Sequence, residues 1–293
     1  VDNGSHDGSA ERAQATYPWL RLLRNRDNLG FSVANNQGIA AGGAPYVATL
    51  NNDAEPEPGW LAALLSALQA DPRAGAAAST MLCASRPEVI DSAGIAADRA
   101  GIFWDRLGGA PAEAAGNAVR EVFGACAGAA LYRRAMLDDV GLFDPAFFCY
   151  LEDVDLAWRA RLAGWRVLHV PAARVRHVHS GTLGDASPLK SYLLGRNKLW
   201  TILKNYPAPY LWRRLPLILA TDLLAATYAA LAQGRWAAIG GRVAAWRGLA
   251  RVWRERQAVQ ARRRVSAEEA DRWLEPAGAP WRVVQRFAHV GTG

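Results

Sequence analysis

Cysteine is scarce in this chain of 293 residues, and the few cysteines present form no recognisable set. Cys83, Cys126 and Cys149 lack any C-x-x-C spacing, which excludes a disulfide-braced scaffold and a zinc ribbon and indicates a reducing compartment. No basic segment followed by an apolar run comes after the first residue, Val1, so we expect no signal peptide. Apolar residues make up 51% of the chain and charged residues 21%, which excludes wholesale disorder.

Acidic residues are nearly missing from one stretch. Residues 205–264 hold eleven arginines but only two acids, Asp222 and Glu255, for a net charge of +9, whereas residues 1–204 and 265–293 carry −1 each. The net charge of +7 therefore belongs to a single segment. We predict a nearly neutral domain over 1–204, a basic helical segment over 205–264 and a C-terminal tail over 265–293.

The basic segment has two parts. Leu215 to Leu231 is apolar apart from Asp222, which is marginal for a membrane span because about 20 apolar residues are usual. Trp236 to Arg264 mixes tryptophan and leucine with arginine, a pattern typical of amphipathic helices at the surface of an anionic membrane. A helix that packs on the front domain is one alternative, and nucleic-acid binding is another, although no nucleic-acid motif accompanies the charge. We favour the membrane surface.

The front domain alternates short apolar runs with helical patterns, which predicts an α/β fold. The predicted strands are Tyr46–Leu50, Val122–Tyr132 and Trp165–Val170, the last ended by Pro171, and the predicted helices are Pro58–Leu68 and Asp153–Ala163. Ligands of open α/β sheets bind at the carboxyl ends of the strands. Polar residues that follow these strands are therefore candidate site residues.

Three polar clusters stand at such positions. Asn51-Asn52-Asp53 follows the first strand, and a carboxylate there suits a hard divalent cation shared with a phosphate, although the triplet alone is also a common turn. Glu152-Asp153 opens a helix, where either carboxylate can act as a general base, while Asp155 pairs with Arg159 at i,i+4.

The third cluster contains two histidines. His177 and His179 follow the short strand Ala173–Val175, which invites a metal-site interpretation. Alternation along a strand would also put both side chains on one face by geometry alone.

These clusters, in this order, resemble the family 2 glycosyltransferases of the GT-A fold, particularly their bacterial rhamnosyltransferase-like branch, from Asp2 to about Pro207. The matching segments are Asp2-Asn3-Gly4-Ser5, Asn28-Leu29-Gly30-Phe31 through Asn36-Gln37-Gly38, Asn51-Asn52-Asp53, Gly124 to Arg134, Glu152 to Arg159, and Tyr192 with Arg196-Asn197. Family members carry a strand, a helix and most of a second strand before the first motif. The resemblance therefore implies a GT-A domain without its first strand and helix.

The resemblance also implies a role for each site residue. Asp153 is the catalytic base with Glu152 beside it, Asp53 and His177 hold a Mn²⁺ or Mg²⁺ ion, Asp2, Asn28, Gly30, Asn36, Asn52 and Asp53 bind the nucleotide-sugar, and Arg196 faces the diphosphate. The implied reaction is an inverting transfer of a sugar from a UDP- or TDP-sugar to a lipid-linked or polysaccharide acceptor. We expect a peripheral protein on the cytoplasmic face of the plasma membrane. The alternative is a non-catalytic, membrane-associated relative that binds a nucleotide-sugar or a glycan, but such a binder needs no base.

Overall fold

A computed structural model describes residues 1–178 and 187–278. Its strands are β1 (Asp2–Asn3), β2 (Arg24–Asn25), β3 (Tyr46–Leu50), β4 (Ala54–Pro56), β5 (Ala74–Cys83), β6 (Arg86–Ser92), β7 (Ile95–Ala97), β8 (Phe103–Asp105), β9 (Arg120–Glu121), β10 (Ala129–Arg133) and β11 (Arg166–His177). Its α-helices are α1 (Ser9–Thr16), α2 (Phe31–Ala40), α3 (Trp60–Ala70), α4 (Arg134–Val140), α5 (Glu152–Leu162), α6 (Pro188–Asn205), α7 (Ala208–Gln233), α8 (Ala237–Arg247), α9 (Leu249–Ala261) and α10 (Ala267–Arg272).

A mixed seven-stranded sheet forms the centre of the protein. Its order is β3-β10-β5-β11-β4, with β6 also paired to β5 and β9 to β11. The long strands β5 and β11 run parallel, whereas β10 runs antiparallel to both of its neighbours. Strands β1 and β2 form a separate parallel pair. The predicted α/β class is therefore confirmed, and the carboxyl ends of β3 and β11 carry the predicted clusters.

Strand β5 is made of small residues because helices cover both of its faces. Alternating side chains place Ala76 and Ala78 in one cluster with helices α2, α4 and α5, and Ala77 and Met81 in another with helix α3. The fit is close, since a Cβ atom added to Gly75 would lie 2.6 Å from the Met136 side chain. The result is a three-layer arrangement of helices, sheet and helices.

Two predicted strands differ from the observed ones. The apolar run over 122–132 forms a strand only from Ala129 onward. The residues before it form a loop that is hydrogen-bonded to β11 and α5 instead. Strand β11 does not stop at Pro171 but continues to His177. The strand accommodates the proline, which lacks an N–H group, because its register against β5 shifts between His169 and Arg174.

The helices of the basic segment pack on the α/β domain. Tyr206, Leu211 and Ile218 of this segment are buried in one cluster with Ile202 of α6 and Trp158 of α5. The domain boundaries at 204 and 264 remain predictions.

Several arginines of this segment point into the protein. Arg242 binds Asp222, Arg251 binds Asp144 and Glu255, and Arg256 donates to the carbonyl oxygens of Leu203 and Tyr206. These cations serve internal packing, as the alternative of a helix packed on the front domain expects.

Candidate active site

The segment leading into α5 is strained. Phe148, Tyr150 and Leu151 have φ angles of 65°, 69° and 66°, and Leu107 is the one other described non-glycine residue with a positive φ. Such conformations are unfavourable for residues with a Cβ atom and gather at functional sites, where the surrounding structure enforces them. Helix α5 starts immediately afterwards, at Glu152. The strained backbone conformation of this segment therefore fixes the position of Glu152 and Asp153 at the start of α5.

Helix α6 holds this strained segment in place. Asn197 is fully buried, and its Nδ2 atom donates to the carbonyl oxygens of Phe147 (3.0 Å), Cys149 (2.9 Å) and Tyr150 (2.8 Å). We predicted no individual role for Asn197 from the sequence, although it belongs to the motif around Arg196. Its three contacts make it a structural clamp on the approach to the catalytic carboxylates.

Arg196 reinforces the same clamp. Its Nη2 atom donates to the carbonyl oxygens of Ala146 (2.9 Å) and Phe147 (3.0 Å), its Nε atom donates to Asn197, and its guanidinium stacks 4.4 Å from the Trp200 ring. The resemblance assigned this guanidinium to the diphosphate. In this structure the Nη2 and Nε donors of Arg196 bind groups of the protein, and its role toward a diphosphate remains a prediction.

Glu152 and Asp153 have different surroundings. Glu152 is buried with no hydrogen-bond partner at Oε2, and burial, followed by the neighbouring Asp153, raises its pKa well above the usual range. Asp153 accepts from the backbone N–H groups of Ala127 (3.2 Å) and Val154 (2.8 Å), and burial raises its pKa as well. A carboxylate with a raised pKa is a stronger base, which is the property that a general base needs.

Asp155 has the structural role predicted for it. Its side chain has no exposed surface and binds Arg159 Nε (2.8 Å), Lys204 Nζ (3.1 Å) and Asn205 Nδ2 (2.8 Å). Burial alone would raise the pKa of Asp155, but Lys204 and Arg159 outweigh it and lower that pKa. Lys204 also binds Asp144, so α6 is joined to α5 by buried charges.

The predicted cation ligands are brought together by strand pairing. His177 at the end of β11 is opposite Ala54 of β4, and its Nε2 atom lies 3.4 Å from Oδ1 of Asp53. That Oδ1 atom is buried without a hydrogen-bond partner. A buried carboxylate oxygen and an imidazole nitrogen at this separation are a suitable donor pair for Mn²⁺ or Mg²⁺. Among the described residues no cluster contains three such ligands, so diphosphate and water oxygens would complete the coordination.

Asp91 is a site residue that we did not predict from the sequence. Its Oδ2 atom lies 2.7 Å from Nδ1 of His177, on the ring side opposite Asp53. It lies in β6, whose pairing with β5 places it near the end of β11. A carboxylate in this position fixes the tautomer and orientation of a metal-binding histidine. The sequence signal that could have identified Asp91 is an acidic residue directly after the apolar Ile90 of a strand.

The nucleotide motifs gather around Asn3, which we also assigned no individual role. Asn3 Nδ2 donates to Asn28 Oδ1 (2.8 Å) and to the Gly30 carbonyl (3.2 Å), while its Oδ1 accepts from the Leu29 N–H (3.1 Å). Asp2 accepts from the Ser5 N–H (2.9 Å), and hydrogen bonds with Ser5 lower the pKa of this carboxyl. Asp2, Asn28 and Gly30 therefore belong to one turn assembly, and their nucleotide-binding roles remain predictions.

Two other predicted residues stand apart from this assembly. Asn36 exchanges both of its amide hydrogen bonds with the Phe143 backbone, at 2.7 and 3.1 Å, and so fastens α2 to the loop before the strained segment. Asn52 is exposed just after β3. Their nucleotide-binding roles remain predictions, and His179 lies outside the described residues.

One loop connects the two halves of the site. The N–H of Ala127 donates to Asp153, and the carbonyl of the next residue, Gly128, accepts from the Asn51 N–H (2.8 Å). The same short segment thus contacts both the candidate base and the Asn51-Asn52-Asp53 turn. This arrangement places an acid–base group and a cation–phosphate group at one end of the sheet.

The family model described as glycosyl transferase family 2 matches residues 1–141. The chain is also 35% identical over 219 residues to the N-acetylglucosaminyl-diphospho-decaprenol L-rhamnosyltransferase of Mycobacterium tuberculosis, a match that covers 66% of this chain and 70% of that protein. This chain belongs to glycosyltransferase family 2. The family resemblance and the enzyme class predicted from the sequence are therefore confirmed.

Two further likenesses are more distant. This family 2 chain is 30% identical over 176 residues to the pre-mycofactocin glycosyltransferase of Mycobacterium tuberculosis, covering 60% of this chain and 36% of that protein. A solved structure of GalNAc-T7 with UDP, GalNAc and Mn²⁺ superimposes with a TM-score of 0.50 at 16% identity, over 70% of this chain and 44% of that one. The superposition supports the predicted GT-A fold. The roles of individual residues remain predictions.

Proposed function

We propose that this glycosyltransferase moves a deoxyhexose of the L-rhamnose type from a nucleoside-diphosphate donor to a polyprenyl-diphosphate-linked sugar, with inversion at the anomeric carbon. The relative at 35% identity is named for a rhamnosyl transfer to such a lipid-linked acceptor. One structural observation carries the proposal: the loop at Ala127-Gly128 contacts both Asp153 and the turn before Asp53. A base and a diphosphate-binding carboxylate that one loop brings to the same end of the sheet are what a single displacement at a sugar carbon needs.

Asp153 acts as the general base in this proposal. Its Oδ1 and Oδ2 atoms are oriented by the backbone N–H groups of Val154 and Ala127, and its raised pKa strengthens its hold on a proton taken from the acceptor hydroxyl. Glu152, buried beside it, keeps its own proton while Asp153 is ionised, because burial and then the charge of Asp153 raise the pKa of Glu152.

The donor is held by the other half of the site. A bound divalent cation would neutralise charge on the departing diphosphate. Asp53 and His177 would hold it, with Asp91 orienting the imidazole. The turn around Asp2, Asn28 and Gly30 would bind the nucleotide. The protein would work peripherally at the cytoplasmic face of the plasma membrane, where lipid-linked acceptors are available.

The test is turnover with defined substrates. The full chain is supplied with TDP-L-rhamnose and a short-chain polyprenyl-diphosphate-linked N-acetylglucosamine, with UDP-sugars as competing donors and with Mn²⁺ or EDTA. We expect rhamnosyl product that requires Mn²⁺ or Mg²⁺. D153N should reduce kcat by about 10²–10⁴-fold, the usual worth of a general base, with donor affinity nearly unchanged.

The matched control for this test is D138N, which changes an exposed acid of α4 and should leave turnover unchanged. Near-wild-type turnover by D153N would show that Asp153 is not the base. Transfer from UDP-sugars alone would refute the proposed donor.

A further inference from the structure

Helices α7 and α8 expose apolar side chains that no described part of the chain covers. We call this the α7–α8 apolar surface, and it comprises Leu217, Leu219, Leu223, Leu224, Tyr228 and Leu231 of α7, Trp236 between the helices, and Ile239, Val243 and Trp246 of α8. Leu223 is 68% exposed, Leu231 70% and Trp246 65%. Many large apolar groups exposed together on two helices that pack on each other mark an interaction surface in a folded protein.

The charges around this surface indicate its partner. Residues 215–231 contain one charged residue, Asp222, which is buried. Arg213 and Arg235 flank this apolar stretch, and Arg247 ends α8. Within residues 205–264 the acids are Asp222 and Glu255, and both are paired with cations of the same chain.

An apolar, tryptophan-bearing surface with a cationic rim is complementary to an anionic lipid leaflet. A second copy of the chain in a two-fold dimer would instead bring arginines against arginines. The charge pattern therefore favours the lipid surface.

Composition alone would also allow α7 to cross a membrane. It is 26 residues long with a mean hydropathy of 1.7 in its most apolar window, and its axis of about 39 Å exceeds the thickness of the hydrocarbon core. However, one stripe of α7 is buried in the protein: Leu211, Ile218, Asp222, Ala226 and Ala230. Their spacings of seven and four residues keep them on a single helix face.

Asp222 fastens that stripe to two neighbouring helices. It accepts from Arg242 of α8 at 2.6 and 2.8 Å and lies 3.0 Å from Nζ of Lys198 of α6. Drawing α7 across a bilayer would remove both cations from a buried carboxylate and place that carboxylate in hydrocarbon, which is strongly unfavourable. The helix is thus held along its length on the protein.

We propose that α7 lies flat in the boundary between headgroups and acyl chains of an anionic bilayer, inserting the α7–α8 apolar surface while its buried stripe stays on the protein. This inference rests on the proposed function, since a polyprenyl-linked acceptor presents its diphosphate at that depth. It specifies a one-sided, non-spanning attachment.

Co-flotation measures the attachment itself. The full chain is mixed with vesicles of phosphatidylcholine, with or without phosphatidylglycerol. We expect binding that increases with phosphatidylglycerol and falls at least tenfold in the double variant L223E/L224E. The matched control is L61E, which changes a 48%-exposed leucine of α3 and should bind like the wild type. Equal binding by the double variant and the control would overturn the proposal.

Depth measurements separate a flat helix from a spanning one. L217C, L224C and L231C each carry a nitroxide, in a chain whose three native cysteines are changed to alanine. These positions lie on one face and span about 21 Å of helix axis. A flat helix gives equal depths at all three, whereas a graded series would overturn the proposal.

If the labelled variants do not fold, amide hydrogen exchange of the unmodified chain, measured with and without vesicles, tests the same attachment. Vesicles should protect residues 208–247 and leave α3 unchanged, and absence of that protection would overturn the proposal.

Measuring sugar transfer beside vesicle binding distinguishes failure of this inference from failure of the proposed function. The double variant should retain wild-type kcat on a short, water-soluble acceptor. An active enzyme that does not bind vesicles refutes the attachment only. A vesicle-bound chain that transfers no sugar refutes the proposed function only.

Discussion

Replacing Gly30 with alanine tests how closely the nucleotide turn is packed against the approach to the catalytic pair. Gly30 has a φ of 86° and a ψ of 167°, a region that is essentially restricted to glycine and costs other residues about 1–3 kcal/mol. Its new Cβ atom would lie 2.5 Å from the Phe148 ring and 2.6 Å from the Phe148 carbonyl oxygen. The ring can turn away, but the carbonyl belongs to the strained backbone that Asn197 and Arg196 hold. Overpacking of this kind costs roughly 1–3 kcal/mol.

The expected loss in free energy of unfolding for G30A is therefore about 2–6 kcal/mol. The matched control is G59A, because Gly59 also has a positive φ, 84°, but its Cβ atom would meet no atom within 4 Å. That variant isolates the conformational penalty, about 1–2 kcal/mol. Urea denaturation measures both values, and steady-state kinetics at a permissive temperature measures donor KM and kcat. G30A should lower kcat/KM because Phe148 and the segment behind it must move, whereas G59A should not.

Equal destabilisation by the two variants would refute this account. It would mean that the contact between Gly30 and the Phe148 carbonyl relaxes at no cost, and that the nucleotide turn does not constrain the segment before Glu152. Loss of stability in G30A with unchanged kinetics would refute only the link to the site.

Three further predictions follow from the same geometry. N197A removes the side-chain donor to the carbonyl oxygens of Cys149 and Tyr150 and one of two side-chain donors to that of Phe147, so kcat should fall more than donor KM rises, and a loss confined to KM would contradict the clamp. D91N should weaken Mn²⁺ binding by about 10–100-fold, measured by calorimetry on the full chain, whereas E88Q on the same strand, an exposed position, should leave it unchanged. His169 is buried, and burial, followed by Arg106 and Arg120, lowers its pKa from 6.5 to about 4. Because the folded state then binds fewer protons, about 3 kcal/mol of stability present above pH 6.5 is lost as the pH falls toward 4; urea titrations should show this slope in the wild type and lose it in H169Q.

Much of the α/β domain was predictable from local pattern. Strand Tyr46–Leu50 and the two helices that open near Trp60 and Glu152 follow from hydrophobic periodicity, because their faces are set by residues close in sequence. The continuation of β11 through Pro171 was not predictable, since the register shift that accommodates the proline depends on pairing with a strand nearly a hundred residues away. Local pattern indicates which face is buried, but not which distant partner covers it.

The same limit applies to the site. The positions of Asp53, Asp153 and His177 were found from strand ends and motifs, and the structure brings Asp53 and His177 together. Asp91 was missed because its contact with His177 spans 86 residues. The family resemblance assigned Arg196 to the diphosphate, and that role stays a prediction. The hydrogen bonds from its Nη2 atom to the carbonyl oxygens of Ala146 and Phe147 could not be predicted from the sequence, because those residues lie about 50 positions away.

Helix α6 links the strained segment, the proposed membrane-bound helix α7 and helix α5 through neighbouring residues. Asn197 binds the strained segment, the next residue, Lys198, binds Asp222 of α7, and Lys204 binds Asp155 of α5. A displacement of α7 therefore pulls on the helix that sets the backbone before Glu152. Under the proposed attachment, the force that seats α7 in a leaflet acts one residue away from the clamp on the catalytic segment. Changing Lys198 to methionine should consequently alter kcat on a soluble acceptor as well as vesicle binding, whereas L223E/L224E, which leaves every α6 contact intact, should alter vesicle binding alone.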